Sequence, residues 1–308
     1  MERILTICVP SFNRINALDG FLGSILNACE SLNEVTEVLF VDDGYDKKSV
    51  SYILEKYNKF SKFKYHKNPN SGSFGSVYAE CLSVADSEFI LITNDDDILF
   101  PDGILKCINK IKNQKDLGVV SPVWLSNANR VIRGNKFYKR NIRTNNTLRY
   151  TAHAPGLIFC SSSIKSKLPE LKKRLLQNCV FTSTYPQVFL STLIVDDGKY
   201  IQTLDIEIGK DGHELPTEIK SPDGEEYFSL KSRLLQYYAL LEIKDLKFFS
   251  DKLIDELCWN FLARIVLYQK RNTLYSIIFF VLRRRLIENF RNVRHKLKQS
   301  MKGEKSND

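Results

Sequence analysis

The sequence predicts an α/β fold, with a mainly parallel β-sheet covered by helices on both faces and followed by a helical C-terminal extension. Through the first 124 residues, β-rich apolar runs alternate with segments whose apolar residues recur at helical spacing. Strands that alternate with helices in this way imply a parallel sheet covered on both sides. After Tyr227, apolar residues recur at mixed spacings of three and four out to Leu297, which predicts a helical region. With 308 residues, of which 43% are hydrophobic, the chain can bury a sizeable core.

The elements of the first half are assigned in chain order from the period of their apolar residues. Ile4–Val9 is the first predicted strand. The helix after it is marked by six apolar residues on one face, namely Leu18, Phe21, Leu22, Ile25, Leu26 and Cys29. Further strands are predicted at 38–41, 63–66, 89–93 and 119–124. The helices between them are predicted around 53–57, 74–85 and 104–111.

The pattern is less regular after residue 126. Residues 127–149 are rich in Asn, Arg and Lys with little apolar period, which predicts a flexible, basic connection or lid. Order returns at 156–160, and a weak helical period over 188–193, a strand over 200–208 and a Gly-, Pro- and acid-rich loop over 209–224 follow. We therefore divide the chain into a domain at 1–225, with halves 1–125 and 126–225, and a basic helical region at 226–308.

Composition limits the class of protein and its compartment. The seven cysteines are scattered without a CxxC pair, which fits a reducing cytosol and argues against a zinc site. The N-terminus lacks the basic, apolar and small-residue succession of an export signal. The longest apolar stretch, 274–282, is far below the ~20 residues that a membrane-spanning helix needs. The expectation is a cytoplasmic protein that does not cross a bilayer.

Positive charge is concentrated near the C-terminus. The formal net charge is +9, and residues 264–298 contain ten Lys or Arg against the single acid Glu288. Aromatic and aliphatic residues are mixed with these cations, a composition that suits peripheral contact of 261–298 with an anionic membrane surface. The alternative is a helix that packs on the domain and turns a basic face to water. Nucleic acid is not expected as a partner, because no recognised binding module accompanies the charge.

Three polar clusters each follow directly on a predicted strand: Pro10–Arg14, Asp42–Asp46 and Asn94–Asp97. The carboxyl ends of parallel strands share one edge of the sheet, where ligands of open α/β folds bind. We therefore expect the three clusters to meet in space.

The chemistry of these clusters points to a bound cation and a phosphate ligand. Five carboxylates facing one crevice repel each other unless a cation or hydrogen-bond donors balance them. Hard oxygen ligands favour Mg²⁺ or Mn²⁺, ions that commonly clamp a diphosphate. The alternative for Asp42 and Asp43 is a plain helix cap. No P-loop is present, and the turn at 70–75 before a helix is either an amide cradle for a ligand or an ordinary loop.

Taken together, the three clusters resemble the motifs of the family 2 glycosyltransferases of the GT-A fold. Cys8–Arg14 resembles the opening V-P-x-Y/F-N-R turn of that family, and Val41–Gly44 resembles its V-D-D-G-S nucleotide-binding element. Asn94–Asp102 resembles its acidic metal motif with the following Pro. The resemblance covers roughly residues 3–125, and it is the combination of the three motifs that is specific.

The resemblance implies a nucleotide-sugar donor, a Mn²⁺ or Mg²⁺ cofactor and a set of site residues. Asp42 or Asp43 would bind the base and ribose, and two of the three aspartates 95–97 would hold the ribose and the metal. Which two is left open, because the triplet aligns in two registers. The implied nucleotide-sugar-binding residues are Pro10, Phe12, Asn13, Arg14, Asp42, Asp43, Gly75, Asp95 and Asp96. The implied metal ligands are Asp96 and Asp97.

The second half departs from the family at one position. His153–Ile158 resembles the segment that closes the acceptor side, and Thr184–Gln187 resembles the element that carries the catalytic base just before an aromatic residue. Here that position is Thr184, which cannot act as a base at neutral pH. The nearest polar candidates in sequence are His153, Asp196, Asp197 and His213. A turn or an ordinary histidine explains each of them better than a catalytic role does, so the catalytic residue is left unassigned.

The resemblance implies a metal-dependent, inverting glycosyltransferase, with 1–125 as its nucleotide-binding half and 126–225 as its acceptor half. The expected acceptor is a hydroxyl of a growing, lipid-linked bacterial surface polysaccharide such as O-antigen or capsule. One alternative is a catalytically inactive relative that serves as a binding or scaffold protein. A second is a nucleotidyltransferase, but residues 10–14 lack the Gly-rich basic loop of that class.

Overall fold

The computed structural model describes residues 4–70, 72–133, 141–142, 147–212, 235–241 and 258. These residues all belong to one compact unit, Met1–Phe261. Of the predicted helical region 226–308, residues 235–241 are described and are helical. The basic segment 261–298 lies outside the described residues, and the domain boundaries drawn from the sequence stay a prediction.

The first half is a succession of βα units, as predicted. Its elements are β1 (Leu5–Ser11), α1 (Ile15–Cys29), β2 (Val35–Asp42), α2 (Lys47–Tyr57), β3 (Phe63–Lys67), α3 (Phe74–Val84), β4 (Phe89–Ile92), β5 (Ile98–Leu99), α4 (Pro101–Ile111) and β6 (Leu117–Leu125). Each predicted strand and helix of this half is present, with ends that differ by a few residues. The short β5 was not predicted, since it exists only through its antiparallel pairing with a distant strand.

The second half combines several short elements with one helix and one strand of 11 residues each. Its elements are β7 (Val131–Arg133), β8 (Asn141–Ile142), α5 (Thr147–Thr151), β9 (Leu157–Cys160), α6 (Ser161–Ile164), α7 (Leu168–Leu176), α8 (Val180–Thr184), α9 (Pro186–Asp196) and β10 (Tyr200–Lys210). The prediction of an irregular connection over 127–149 is wrong where β7, β8 and the start of α5 form. β7 pairs with β6, and β8 pairs with β10. A two- or three-residue strand held by such remote partners has no local apolar period.

Within the described residues, the strands form one ten-stranded sheet in the order β3-β2-β1-β4-β9-β6-β10-β5, with β7 on β6 and β8 on β10. Six strands share one direction, namely β1, β2, β3, β4, β6 and β10. The other four, β5, β7, β8 and β9, run antiparallel to their neighbours. The sheet is therefore mixed, and the prediction of a mainly parallel sheet holds for its six long same-direction strands. Because β9 is reversed, its first residue lies at the edge where β4 ends.

Helices cover both faces of the sheet, as the burial of its central strands requires. All seven residues of β1 and all nine of β6 are buried. α1 contacts α2 and α4, whereas α3 contacts α7, α8 and α9. The six apolar residues predicted to form one stripe of α1 are all buried, and they pack on Leu5, Ile7 and Val9 of β1. The seven cysteines are free thiols. In the described part of the chain, no helix has the length and apolar character needed to span a bilayer.

Candidate active site

The loop after β1 brings the first polar cluster across to the other two. Asn13 has a φ of 50°, a left-handed conformation that turns the chain sharply before α1. The backbone N–H of Arg14 donates to the Tyr45 hydroxyl at 2.8 Å, and that hydroxyl lies 2.6 Å from Ser11 Oγ. Ser11 Oγ in turn donates to Asp95. Residues from the ends of β1, β2 and β4 therefore meet at one edge of the sheet, as the sequence predicts.

The two aspartates at the end of β2 are both buried but have different partners. Asp42 Oδ1 accepts from the backbone N–H groups of Gly44 and Tyr45, at 2.8 and 2.7 Å, and Oδ2 accepts from the Tyr65 hydroxyl at 2.9 Å. Asp43 Oδ1 accepts from the Asn68 side-chain amide at 2.6 Å. Burial raises the pKa of Asp43, and the Asn68 hydrogen bond works against that rise. Asp42 thus shapes the turn, while Asp43 is held in place beside it.

The helix-cap alternative for Asp42 and Asp43 is wrong. The cap of α2 is Asp46, whose side chain accepts from the backbone N–H of Ser49 at 2.8 Å. Asp42 and Asp43 are therefore left at the strand end, at the position where α/β folds bind ligands.

The three consecutive aspartates of the acidic motif lie in three different environments. The Asp95 side chain is fully buried against Ser11 and Arg14, and burial raises its pKa while Arg14 opposes the rise. Asp96 is partly exposed, with an exposed side-chain fraction of 17%, and it pairs with Arg14 Nη1 at 2.9 Å. Asp97 Oδ2 accepts from Thr93 Oγ1 at 3.0 Å and from the Asn94 backbone N–H at 2.7 Å. Burial raises the pKa of Asp97 well above its usual range.

The end of β10 packs directly on the acidic loop. A Cβ added at Gly212 would overlap the carbonyl oxygen of Asp96. A Cβ at Gly209 would lie 2.6 Å from the Trp124 ring and 2.8 Å from the carbonyl oxygen of Ile98. Only glycine permits this approach of one backbone to the other. The strand predicted at 200–208 continues to Lys210, so the predicted loop at 209–224 begins later than expected; residues 213–224 lie outside the described part.

A buried arginine joins the second half of the described chain to this edge. The Arg133 guanidinium donates from Nη1 to the carbonyls of His153 and Pro155, at 2.7 and 2.6 Å, and from Nε to the carbonyl of Pro122 at 3.3 Å. Burial lowers the pKa of Arg133 to about 9, even though Asp97 and Asp211 favour its charged form. Arg133 therefore fixes the loop that enters β9 and contributes positive charge beneath the acidic motif.

Asp211 is a site residue that sequence reasoning missed. Its Oδ1 accepts from Trp124 Nε1 at 2.8 Å and lies 3.4 Å from His153 Nε2. Burial works against ionisation of Asp211, but the hydrogen bonds from His153 and Trp124 hold its pKa below the usual value. Burial also lowers the pKa of His153. The sequence signal for Asp211 is a carboxylate at the end of a strand that runs parallel to the acid-bearing strands. The strand predicted from the sequence ends at 208, whereas β10 continues to Lys210, directly before Asp211.

Of the other candidate positions, the structure describes Thr184, Asp196 and Asp197. Thr184 is buried at the end of α8. Asp196 and Asp197 directly precede β10, so they lie at its amino end, opposite the carboxyl edge, and Asp197 pairs with Lys167 at 2.9 Å. His213 lies outside the described residues.

The remaining predicted donor-binding residues divide into exposed and buried ones. Phe12 is 61% exposed and stands beside Gly44, and Asn13 is exposed as well. Pro10 is buried within β1, paired with Val41. Gly75 is buried where α3 meets α8, and a Cβ there would lie 2.6 Å from the carbonyl oxygen of Thr182. Close helix packing therefore accounts for a glycine at position 75 without a ligand.

The acidic motif has donors that suit a hard divalent cation. No group of three or more His, Cys, Asp or Glu side chains that could hold a metal occurs within the described ranges. Mg²⁺, however, usually takes only one or two protein carboxylates and completes its shell with water and substrate phosphates. The carboxylate of Asp96 is partly exposed, so the site fits a metal that arrives with a diphosphate.

The fold and the edge together define the class of protein. In this sheet β1, β2 and β4 are parallel, β9 is reversed, and acidic motifs stand at the carboxyl ends of β2 and β4. This is the GT-A arrangement of nucleotide-sugar-dependent glycosyltransferases. The sequence model of Glycosyl transferase family 2 matches residues 6–168, which is more than half of the chain. The chain therefore belongs to that family and is a glycosyltransferase.

Solved structures with the same fold include two complexes with nucleotide sugars. The S. aureus TarS 1–349 structure in complex with UDP-GlcNAc has 17% sequence identity and a TM-score of 0.60, covering 88% of this chain and 74% of that one. The mannosyltransferase PcManGT from Pyrobaculum calidifontis, in complex with GDP-Man and Mn²⁺, has 14% identity and a TM-score of 0.53, covering 95% and 83%. At these identities the likeness shows the fold. No curated protein matches the sequence.

Proposed function

We propose that the enzyme transfers a sugar from a nucleoside-diphosphate sugar to a hydroxyl acceptor, with Mn²⁺ or Mg²⁺ as cofactor. One observation carries the proposal: Arg14, Asp95 and Asp96 are in direct contact at the edge where Asp42 and Asp43 also lie. A cation and carboxylates at the carboxyl ends of parallel strands suit a nucleoside diphosphate. The UDP-GlcNAc and GDP-Man complexes of TarS and PcManGT, two proteins of this fold, support the same donor class.

Each donor group has a proposed partner. Asp43 and Asp42 bind the base and ribose at the end of β2, with the exposed Phe12 ring beside them. Asp95 contributes to binding of the ribose, and Arg14 binds the diphosphate. Asp96, with Asp97, would hold the metal, and a metal there neutralises the diphosphate as it leaves. Asn13 turns the chain after β1, while Pro10 and Gly75 would act through the packing of β1 and α3.

We assign the role of general base to Asp211. In inverting transfer, a carboxylate removes the proton of the acceptor hydroxyl as its oxygen attacks the anomeric carbon opposite the departing diphosphate. Asp211 supports this role on two counts: it follows β10 at the site edge, and its side chain is 23% exposed. Thr184, at the position where the family carries its acid, is buried and cannot act in this way.

The proposed acceptor is a growing, lipid-linked bacterial polysaccharide of the O-antigen or capsule type, used at the cytoplasmic face of the membrane. The supporting feature is the sequence of 261–298, in which cations are mixed with aromatic residues. Such a segment binds anionic headgroups, which would hold the enzyme close to a lipid-borne acceptor.

A thermal-shift screen tests the donor assignment. UDP, GDP, CDP and dTDP are added to the full chain with and without Mn²⁺, because a ligand at about 100 times its Kd adds about 2.7 kcal/mol to the free energy of unfolding. One nucleotide that raises Tm only with metal identifies the donor class. If no nucleotide raises Tm under either condition, the proposed donor site is wrong.

The Asp211→Asn variant distinguishes an active transferase from an inactive relative. The inactive alternative arises because the buried Thr184 stands where the family carries its acid. With the identified donor, wild type should turn over, and the variant should lose about 10²- to 10⁴-fold in kcat while keeping donor affinity. Wild-type activity retained in the variant would reject Asp211 as the base. Donor binding by wild type without any turnover would favour a binding or scaffold role.

A further inference from the structure

Arg14 holds two neighbouring carboxylates with different sides of one guanidinium group. Nε and Nη2 face the fully buried Asp95, while Nη1 donates to Asp96 Oδ2 at 2.9 Å and Nη2 reaches Asp96 Oδ1 at 3.2 Å. Both oxygens of Asp96 are therefore engaged by a cation that belongs to the chain itself.

The two ion pairs differ in how readily they can be exchanged. Asp95 is fully buried, so removing its cationic partner would leave an uncompensated buried charge. Asp96 is partly exposed, and the Arg14 side chain is 44% exposed, so the Arg14–Asp96 contact can be replaced from solvent at low cost. The guanidinium can keep its bond to Asp95 while Nη1 changes partner.

A metal on Asp96 and the present position of Nη1 are mutually exclusive. A divalent cation binds carboxylate oxygens at about 2.0–2.2 Å, which would place it against the positively charged Nη1 group. A diphosphate removes this conflict, because an arginine fork binds phosphate oxygens as well as it binds a carboxylate.

We propose that Arg14 is a tethered cation that competes with the metal for Asp96 and releases it more readily when a nucleoside diphosphate takes over Nη1. Metal binding and nucleotide binding are then coupled, and by thermodynamic reciprocity each strengthens the other. The site would stay neutralised without a donor and would load its metal together with the donor. This inference rests on the proposed donor site.

The test measures Mn²⁺ binding to the full chain without nucleotide, by calorimetry and by the Mn²⁺ electron paramagnetic resonance signal. Arg14→Gln removes the competing cation, and we expect Mn²⁺ to bind about tenfold more tightly than to wild type, within the usual range of coupling between sites. Arg14→Lys should show an intermediate gain, since one ammonium group stays with buried Asp95 and leaves Asp96 free. If Arg14→Gln does not fold, Arg14→Lys alone decides.

Lys56→Gln is the matched control. It also removes one positive charge from an ion pair with an aspartate, Lys56 to Asp19 at 2.7 Å, and should keep the wild-type affinity for Mn²⁺. Wild-type or weaker Mn²⁺ binding by the Arg14 variants, or an equal gain in Lys56→Gln, overturns the inference. None of these outcomes depends on nucleotide binding, whereas failure of the proposed function shows separately as a wild-type protein that binds no nucleoside diphosphate.

Discussion

Environment, more than residue type, distinguishes the three consecutive aspartates of the acidic motif. Asp95 is buried on Arg14 and Ser11, Asp97 is buried on Thr93 and Asn94, and Asp96 is partly exposed. A carboxylate that already fixes its own loop has little freedom to rearrange around a ligand. Asp96 is therefore the residue of the three on which a ligand effect should be largest and a folding effect smallest.

Substitution of Asp96 by Asn should reduce the affinity for nucleoside diphosphate with Mn²⁺ at least about tenfold, because a hydrogen bond or ion pair to a charged group contributes about 1.5–3 kcal/mol. The Tm should stay near that of wild type, since the pair that is lost is partly exposed. Isothermal titration and thermal melting measure the two quantities. Asp86→Asn, in an exposed pair with Lys165, is the matched control; unchanged affinity in Asp96→Asn would reject the site.

His153 should make the stability of the protein depend on pH. Burial lowers its pKa in the folded state, so below about pH 6.5, the ordinary value, the unfolded chain takes up a proton that the folded chain does not. Stability should therefore fall as pH is lowered through 6.5 towards the folded-state pKa. Asp211, whose pKa is also lowered, contributes its own loss only at more acidic pH.

The measurement compares the fall in Tm between about pH 7.5 and about pH 5.5, the range in which histidine titrates, in wild type and in His153→Gln. The variant should show the smaller fall, because its side chain stays neutral. Equal slopes in wild type and His153→Gln would show that His153 is not buried in its neutral form.

Glycines show how tightly the elements around the site approach each other. In α4, a Cβ at Gly103 would overlap the carbonyl oxygen of Glu207 in β10, whereas in α1 nothing lies within 4 Å of a Cβ at Gly20. β10 is thus held between α4 on one side and the acidic loop at Gly212 on the other. The position of Asp211 follows from this packing.

The two helical glycines should respond to alanine in opposite directions. Gly103→Ala should lower the free energy of unfolding by about 1–3 kcal/mol or more, since a backbone atom must move to admit the methyl group. Gly20→Ala should raise it by about 0.5–1 kcal/mol, because alanine restricts the unfolded chain without a clash. Urea unfolding of both variants gives the values. Equal effects would mean that α4 and β10 are not in close contact.

For the whole molecule, the uneven distribution of positive charge along the chain predicts association with anionic surfaces. The net charge is +9, and ten of the Lys and Arg residues lie in 264–298. Each cation near an anionic surface contributes about 1 kcal/mol of attraction, screened over a Debye length of about 8 Å at physiological salt. The chain should therefore bind anionic vesicles in a salt-dependent way.

Cosedimentation with phosphatidylserine-containing and pure phosphatidylcholine vesicles tests this association. Wild type should sediment with the former only, and release should follow added salt. Replacing the arginine triplet 283–285 by Gln should weaken binding about 10-fold or more. The control carries the same charge change on exposed lysines of the described domain: Lys110, Lys112 and Lys115. Equal losses in both variants would indicate a general charge effect without a role for the tail.

The sequence by itself determined the βα order of the first half and the strand ends that carry chemistry. The buried stripe of α1 follows from the period of its apolar residues. The contact between Ser11, Tyr45 and Asp95 follows from the edge that the carboxyl ends of parallel strands share. Both signals are local: a period needs only a dozen neighbouring residues, and a strand end needs only the run before it.

Only the tertiary structure decided the reversed β9, the short strands β5, β7 and β8, and the contacts of Arg14, Arg133 and Asp211. A two- or three-residue strand exists because a remote backbone satisfies its hydrogen bonds, and no local pattern records that partner. Arg14 was placed in the site by its motif, but its division between Asp95 and Asp96 depends on contacts more than 80 residues apart. Long-range pairing of backbone and charge is the information that a periodic pattern does not contain.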